Sequence, residues 1–474
     1  MSDQLGSVER PLRVAIVGSG PAGFYAADHL LRQEVLAVEV DLFDRLPTPF
    51  GLVRAGVAPD HPKIKSVIRV YEKTAARDGF RFFGNVHVGG QLSATELAER
   101  YHAVIYAYGA STDRHLGIPG EELPGSHPAT AFVAWYNAHP DFADAEFDLS
   151  CERAVVIGNG NVATDVARML ALTRPELEET DTADHAIDPL ADCGVREIVI
   201  LGRRGPAQAA FTNPELRELG EMKDADVRVD PAEVELDDLS RAYLESDEAD
   251  ITTRKNVEIF TEFSAREPEG KPKRIVLRFL RSPVEIQGEG GVERIIVARN
   301  ELYRDDSGAI RARDTGERET IECGLVLRSI GYAGVGLEGV PFDERRAVIP
   351  NEGGRVTEQD GEQVLGHYAV GWIKRGPSGV IGTNKKDAQE TVDNLIEDAG
   401  AGRMPSPELA EDPSAIVELL AERAPDSVTY QGWEAIDAAE RERGEPLGRP
   451  RVKFVRIDEM LEAAQAGVAG SAGG

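Results

Sequence analysis

The stretch Val14-Ala15-Ile16-Val17-Gly18-Ser19-Gly20-Pro21-Ala22-Gly23 sets four consecutive apolar residues against a turn that carries three glycines. The apolar run reads as a buried strand, and Pro21 suits the first position of a helix. In such a strand-turn-helix, one glycine makes the tight turn, one lets backbone N–H groups approach a diphosphate, and one lets helix and strand pack closely. The helix N-terminus then faces negative charge. A single Gly-x-Gly-x-x-Gly is weak evidence, because glycine-rich turns are common, so the residues downstream matter. Val38-Glu39-Val40-Asp41-Leu42-Phe43-Asp44 alternates as a strand and ends in an acid. Asp44 lies about 20 residues past Gly23, where a carboxylate accepts hydrogen bonds from ribose hydroxyls. Asp41 is the weaker candidate, and capping of the strand is the plainer role for Asp44.

The pattern recurs at Ala154-Val155-Val156-Ile157-Gly158-Asn159-Gly160-Asn161-Val162-Ala163, with alanine in the third position. Here the next strand, Val195-Arg196-Glu197-Ile198-Val199-Ile200-Leu201-Gly202, ends in Arg203-Arg204 instead of an acid. A carboxylate would repel a 2′-phosphate, whereas paired guanidinium groups bind its oxygens through forked, charge-assisted hydrogen bonds. The second loop is therefore predicted to favour NADP over NAD, although two arginines on a solvated loop need no ligand. Two nucleotide loops predict an α/β chain with two Rossmann-like dinucleotide-binding domains and hydride traffic between their ligands.

The chain has 474 residues, 41% of them hydrophobic, enough for two or three domains with substantial cores. It contains no run of about 18 apolar residues, so no membrane span is expected. Met1 to Arg10 lacks a signal-peptide core and the Arg-rich bias of a transit peptide, which predicts a cytoplasmic location. The net charge of −30 disfavours nucleic acid and anionic membranes as partners. Acid is dense from Asp224 to Asp250, where Arg228 and Arg241 are the only basic residues, and this reads as solvated surface. Cys151, Cys193 and Cys323 show neither Cys-x-x-Cys nor metal-ligand spacing. That argues against a dithiol relay, an iron–sulfur cluster on this chain, or a metal site.

Against this acidic background Arg54 to Arg81 is basic, with Arg54, Lys63, Lys65, Arg69, Lys73, Arg77 and Arg81 against Asp60, Glu72 and Asp78. The spacing predicts a helix capped by Asp60 or His61, with Pro62 in first position, Ile64, Val67, Ile68 and Tyr71 on the core face and a stop at Gly79. Lys65, Arg69, Lys73 and Arg77 then stack four apart on the exposed side. This face is a docking surface for an acidic protein or a merely solvated one. After Met404, amphipathic helices are expected to pack on the first domain, and Gly467 to Gly474 is expected to be disordered.

Three spaced segments are more specific than either glycine loop. They are Pro47-Thr48-Pro49-Phe50-Gly51-Leu52-Val53-Arg54-Ala55-Gly56-Val57-Ala58-Pro59-Asp60-His61-Pro62, Gly202-Arg203-Arg204-Gly205-Pro206 and Gly371-Trp372-Ile373-Lys374-Arg375-Gly376-Pro377-Ser378-Gly379-Val380-Ile381-Gly382-Thr383-Asn384. In this order they resemble the adrenodoxin-reductase-type ferredoxin–NADP reductases, and the likeness covers most of the chain. The resemblance implies an FAD domain, residues 1–115 and 340–474, interrupted by an inserted NADP domain at 116–339. Val104 to Gly109 and Leu325 to Tyr332 read as the strands that close the two nucleotide folds, and His367 to Trp372 returns the chain to the first. Cofactor contacts are implied for Gly18, Gly20, Pro21, Ala22, Gly23, Asp44, Leu52, Gly158, Asn159, Gly160, Asn161, Val162, Arg203, Arg204, Glu215, Gly371, Trp372, Gly379, Val380 and Ile381.

Related flavoproteins commonly carry an acid after the glycine that Gly371 matches, against the FAD ribityl chain; here it is Trp372. The resemblance places that tryptophan beside flavin and nicotinamide, against the plainer reading of a core residue. A helix beginning near Asn384 is expected to point N–H groups at the flavin carbonyl. His61 and Glu215 match residues near the nicotinamide that pair across the domains, against cap or surface roles. The implied activity is transfer of a hydride from NADPH to FAD and of single electrons to a ferredoxin-type iron–sulfur protein, which would dock on the Arg54–Arg81 stretch. A flavin-dependent monooxygenase would instead need a roomy substrate cavity, and a non-catalytic electron-transfer or redox-sensing flavoprotein need not keep Arg203-Arg204.

Overall fold

Each glycine loop follows a central strand of its own parallel sheet. Leu12–Val17, buried along its whole length, pairs in parallel with Val38–Phe43 on one side and Ala103–Tyr106 on the other. Phe80–Phe83 and Gln363–Ala369 extend the parallel part, and the short antiparallel strands Arg355–Thr357 and Asn351–Glu352 complete seven strands. Strands covered on both faces need apolar side chains throughout rather than alternation, which is why the central strand reads as a run. The computed structural model describes residues 4–471. This sheet belongs to a first unit made of the described residues up to Val57, His61–Thr112 and those from Gly331 onward.

The second unit, Ala58–Asp60 and Asp113–Ile330, holds a six-stranded parallel sheet with Arg153–Ile157 between Glu197–Leu201 and Leu325–Arg328. Lys273–Arg278, Ala225–Val229 and Ser126–Pro128 complete it. The same unit carries an antiparallel sheet of Arg281–Gln287, Arg294–Arg304 and Ile310–Glu322, for which the sequence gives little apolar alternation because the last strand is mostly exposed and charged. Ala58–Asp60 fall in the second unit although 1–115 is expected in the first, and the chain otherwise passes between units after Thr112 and Ile330, against expected limits after 115 and 339. Thr112 Oγ1 donates to the Ala333 carbonyl (3.0 Å), which keeps the segment after Ile330 with the first unit.

The basic stretch is not one helix. Pro62–Lys65 and Ile68–Ala75 are separate, and His61 is the N-cap of the first without giving it a side-chain bond. The break leaves Ile64 36% exposed, off the expected core face, while Tyr71 stays buried. Gly79, with φ of +82°, makes the turn into Phe80–Phe83 instead of stopping the helix.

Helices Tyr430–Gly444 and Ile457–Ser471 pack on the first unit, where Trp433, Ile436, Met460 and Ala464 join the core of Leu12, Val14, Phe24 and Leu42. The last helix runs through 467–471, a stretch expected to be disordered. A Cβ on Gly467 would lie 2.2 Å from that of Ala435, so the missing bulk is what lets the helix dock. The rest of that expectation, 472–474, lies outside the described residues. No described helix is long and apolar enough to cross a membrane.

Candidate functional site

The loop glycines are of two kinds. Gly18 (φ +109°) and Gly158 (φ +134°) hold backbone conformations that L side chains avoid, and a Cβ would fall 2.6 Å from the Ala107 carbonyl oxygen or 2.0 Å from that of Ser329. At Gly23 a Cβ would lie 2.0 Å from the Gly18 oxygen, where helix meets loop. Folding requires these three. Gly20 and Gly160 have ordinary φ of −73° and −120°, and a Cβ on either would meet no protein atom within 4 Å. Folding does not require glycine there, but a diphosphate lying against the backbone does. Helices Pro21–Arg32 and Asn161–Ala171 start at these glycines with no side-chain cap and no acid in the first turn, so their free N–H groups face the open space. The residues present therefore fit a dinucleotide at each loop.

In the first unit Asp44 holds the loop in shape. One carboxylate oxygen accepts from the N–H and hydroxyl of Ser19 and the other from the Leu46 N–H (2.9 Å), which leaves about one of four acceptor positions for a ribose hydroxyl. Burial pushes this carboxyl above the ordinary range. Gly371 (φ +76°) comes so close to helix Pro21–Arg32 that a Cβ would lie 2.6 Å from that of Ala22. Its N–H donates to Asp387, whose carboxylate also binds Lys374 (3.0 Å) and Arg375 (2.9 Å). Asp387, a residue the sequence reading did not single out, thus ties the Gly371-Trp372 turn to Lys374 and Arg375. Trp372 is half-buried against Tyr332, with ring centroids 5.1 Å apart. Leu52, Gly379 and Val380 are exposed and Ile381 is half-buried, the last three just before helix Thr383–Gly400, whose N-cap Gly382 supplies no side-chain bond.

In the second unit Arg203 is exposed and Arg204 half-buried, and among the described residues no carboxylate pairs with either. Burial and the nearby Arg203 and Arg311 guanidiniums push the Arg204 pKa down, as expected of positive charge without a counterion. Asn300 donates to the Arg203 carbonyl (2.8 Å) and fixes the turn, a contact with no signal in the sequence. Asn161 Oδ1 accepts from the Thr212 N–H (2.9 Å), and Thr212 Oγ1 donates to Glu215 (2.7 Å), so the second loop and Glu215 share one network; Asn159 and Val162 are half-buried beside it. His61 is 8% exposed and lies in the first unit. Asp60, expected as a cap, instead accepts two bonds from buried Arg168 (2.8 and 3.0 Å) within the second unit. Burial pushes the Cys323 thiol up to about 12 and raises Cys151 as well, so both stay protonated.

Two such loops, one followed by an acid and the other by an unneutralised arginine pair, define a flavoprotein oxidoreductase that uses two dinucleotides. Residues 12–199 match the family model described as pyridine nucleotide-disulphide oxidoreductase. The chain is 52% identical over 453 residues to the NADPH-ferredoxin reductase FprA of Mycobacterium leprae, covering 94% of this chain and 97% of that protein. It is 43% identical over 467 residues to the mitochondrial NADPH:adrenodoxin oxidoreductase of Salvelinus fontinalis, covering 96% and 91%. The solved structure of Mycobacterium tuberculosis FprA in complex with NADPH matches with a TM-score of 0.89 at 51% identity, covering 96% of this chain and all of that one. The chain belongs to the NADPH-ferredoxin reductase family of the adrenodoxin-reductase type.

Proposed function

We propose that the first unit binds FAD and the inserted second unit binds NADP, and that this division underlies the chain's activity as an FAD-dependent NADPH-ferredoxin reductase. The observation that carries the assignment is the contrast after the two loops, a carboxylate at Asp44 and an unneutralised cation pair at Arg203-Arg204. FAD, when bound, supplies the exchange between two-electron hydride chemistry and the single electrons an iron–sulfur protein accepts. The chain's residues bind and orient. Gly20 and Gly160 admit the two diphosphates, the uncapped helix starts offset their charge, and Arg203 with Arg204 selects the 2′-phosphate. Gly371 and Asp387 hold the Trp372 turn, the aromatic wall of the flavin site.

His61 and Glu215 are assigned to nicotinamide orientation. The reading is supported by the burial of His61 and by the tie of Glu215, through Thr212, to Asn161 of the second loop. His61→Ala and Glu215→Ala are expected to slow flavin reduction by NADPH in stopped flow with FAD content unchanged. Wild-type rates in both would return the pair to a structural role.

The partner is a ferredoxin-type iron–sulfur protein, and its docking face is placed on the exposed part of the basic stretch. Lys63, Arg69 and Lys73 are exposed. Arg54 is not part of that face, because it is 8% exposed and paired with Glu440, and Arg81 is committed to Asp41 through two bonds of 2.6 Å. Lys374, a cation of the Gly371–Asn384 segment, is likewise buried and paired with Asp387 and Glu390. A cytoplasmic location accords with this chemistry and is tested by fractionation.

A further inference from the structure

We infer that helix Tyr430–Gly444 is a latch on the FAD site, with Glu440 as a positioning residue that holds Phe50 to Gly56 against the first glycine loop and so sets the rate at which FAD leaves. This rests on FAD occupying the first loop. The Phe50–Gly56 segment touches the backbone that borders the open space. The Phe50 N–H donates to the Ser19 carbonyl (3.0 Å), and a Cβ on Gly51 would lie 3.0 Å from the Gly20 Cα. It is also strained, since Phe50 holds φ of +85°, a region that a bulky side chain occupies only when its surroundings force it.

What forces it comes largely from the far end of the chain. The Phe50 ring is buried edge-on to Trp433 with centroids 5.5 Å apart, and the Arg54 guanidinium lies 5.3 Å over the same tryptophan. Arg54 binds both carboxylate oxygens of Glu440, one at 2.9 Å, and its carbonyl accepts from Lys453 Nζ (3.1 Å). Glu440 is fully buried and also accepts from Arg451 (3.2 Å) and from the Phe454 N–H (3.0 Å). Burial alone would raise its carboxyl, but the Arg54 and Arg451 charges overcome this and hold it below the ordinary range. A charged, buried anchor thus presses a strained turn onto the cofactor loop, and loss of the anchor frees the turn to relax away from Ser19 and Gly20.

The test is release of FAD from the purified holoenzyme into excess apo-D-amino-acid oxidase, an FAD-dependent enzyme that serves as the trap, followed as the oxidase activity it regains. Glu440→Gln is expected to speed release on the order of tenfold or more, because it breaks a buried pair. Trp433→Leu, which leaves the ion pair in place, should give a smaller acceleration. Asp398→Asn serves as control: it removes another buried carboxylate of the same unit, held by Arg355 and Arg403, away from the FAD loop. Its release should stay near wild type. Wild-type release from both Glu440→Gln and Trp433→Leu, or equal acceleration by Asp398→Asn, overturns the latch. Where Glu440→Gln does not fold, wild-type protein decides, since coupling is reciprocal and FAD removal must quicken amide exchange at 436–441; unchanged exchange overturns it too. Should Gly20→Val keep its flavin, the FAD placement itself fails; loss of flavin from Gly20→Val with wild-type release in the other two sinks the latch alone.

Discussion

Replacing Gly20 with valine separates ligand binding from folding. The backbone at Gly20 is extended, with φ of −73° and ψ of −175°, and a Cβ meets no protein atom within 4 Å. The apoprotein should therefore change in stability by less than about 1 kcal/mol, the range set by unfolded-state entropy alone. The side chain would occupy the space taken by the diphosphate of FAD and deny it two backbone N–H groups. Charge-assisted hydrogen bonds contribute about 1.5–3 kcal/mol each, so FAD should lose roughly 3–6 kcal/mol, or about a hundred- to ten-thousandfold in affinity. Gly23→Ala makes the contrast: its Cβ would fall 2.0 Å from the Gly18 oxygen, so folding itself should suffer. The assays are the flavin-to-protein ratio after gel filtration and thermal unfolding of the apoproteins. A Gly20→Val protein that keeps its full flavin, or whose apo form is several kcal/mol weaker than wild-type apo, would refute the reasoning.

Gly160→Val should likewise raise the KM for NADPH while leaving FAD content and melting temperature unchanged, since its Cβ also meets open space. Arg203→Ala with Arg204→Ala should weaken NADPH far more than NADH, by about 1.5–3 kcal/mol per lost charged contact; an unchanged ratio of kcat/KM for the two coenzymes counts against the 2′-phosphate site. Charge reversal at exposed Arg69 and Lys73 should raise the KM for a ferredoxin and lower its salt sensitivity, with ferricyanide reduction unaffected; flat ferredoxin kinetics across a salt series would place the docking face elsewhere. Burial alone would raise Asp398, but Arg355, Tyr368 and Arg403 hold it at about 2 against 3.8 for a free carboxyl. Its contribution to stability is present above about pH 4 and lost as pH falls towards 2, so Asp398→Asn should show a shallower acid-unfolding profile than wild type over that window.

Much of the site was legible in the sequence because it depends on local backbone chemistry. A glycine loop between strand and helix is a contiguous device, so the turns at Gly18 and Gly158, the close packing at Gly23 and the place of Asp44 and Arg203-Arg204 just past strand ends could be read without a structure. The two large sheets followed from the same repeats, whereas the three-stranded antiparallel sheet did not. Tertiary structure decided which charges are available. Arg54 and Lys374 look like surface cations along the chain, yet each is buried and paired with an acid of another helix, Arg54 with Glu440 and Lys374 with Asp387. Only the fold shows that Gly20 and Gly160 face open space while Gly23 faces backbone, and only the fold brings Asp387 to Gly371. Sequence spacing encodes what adjacent peptide groups can do, whereas the pairing of a buried charge is set by which distant side chain packing brings within hydrogen-bond reach, because an unpaired charge there would not be tolerated.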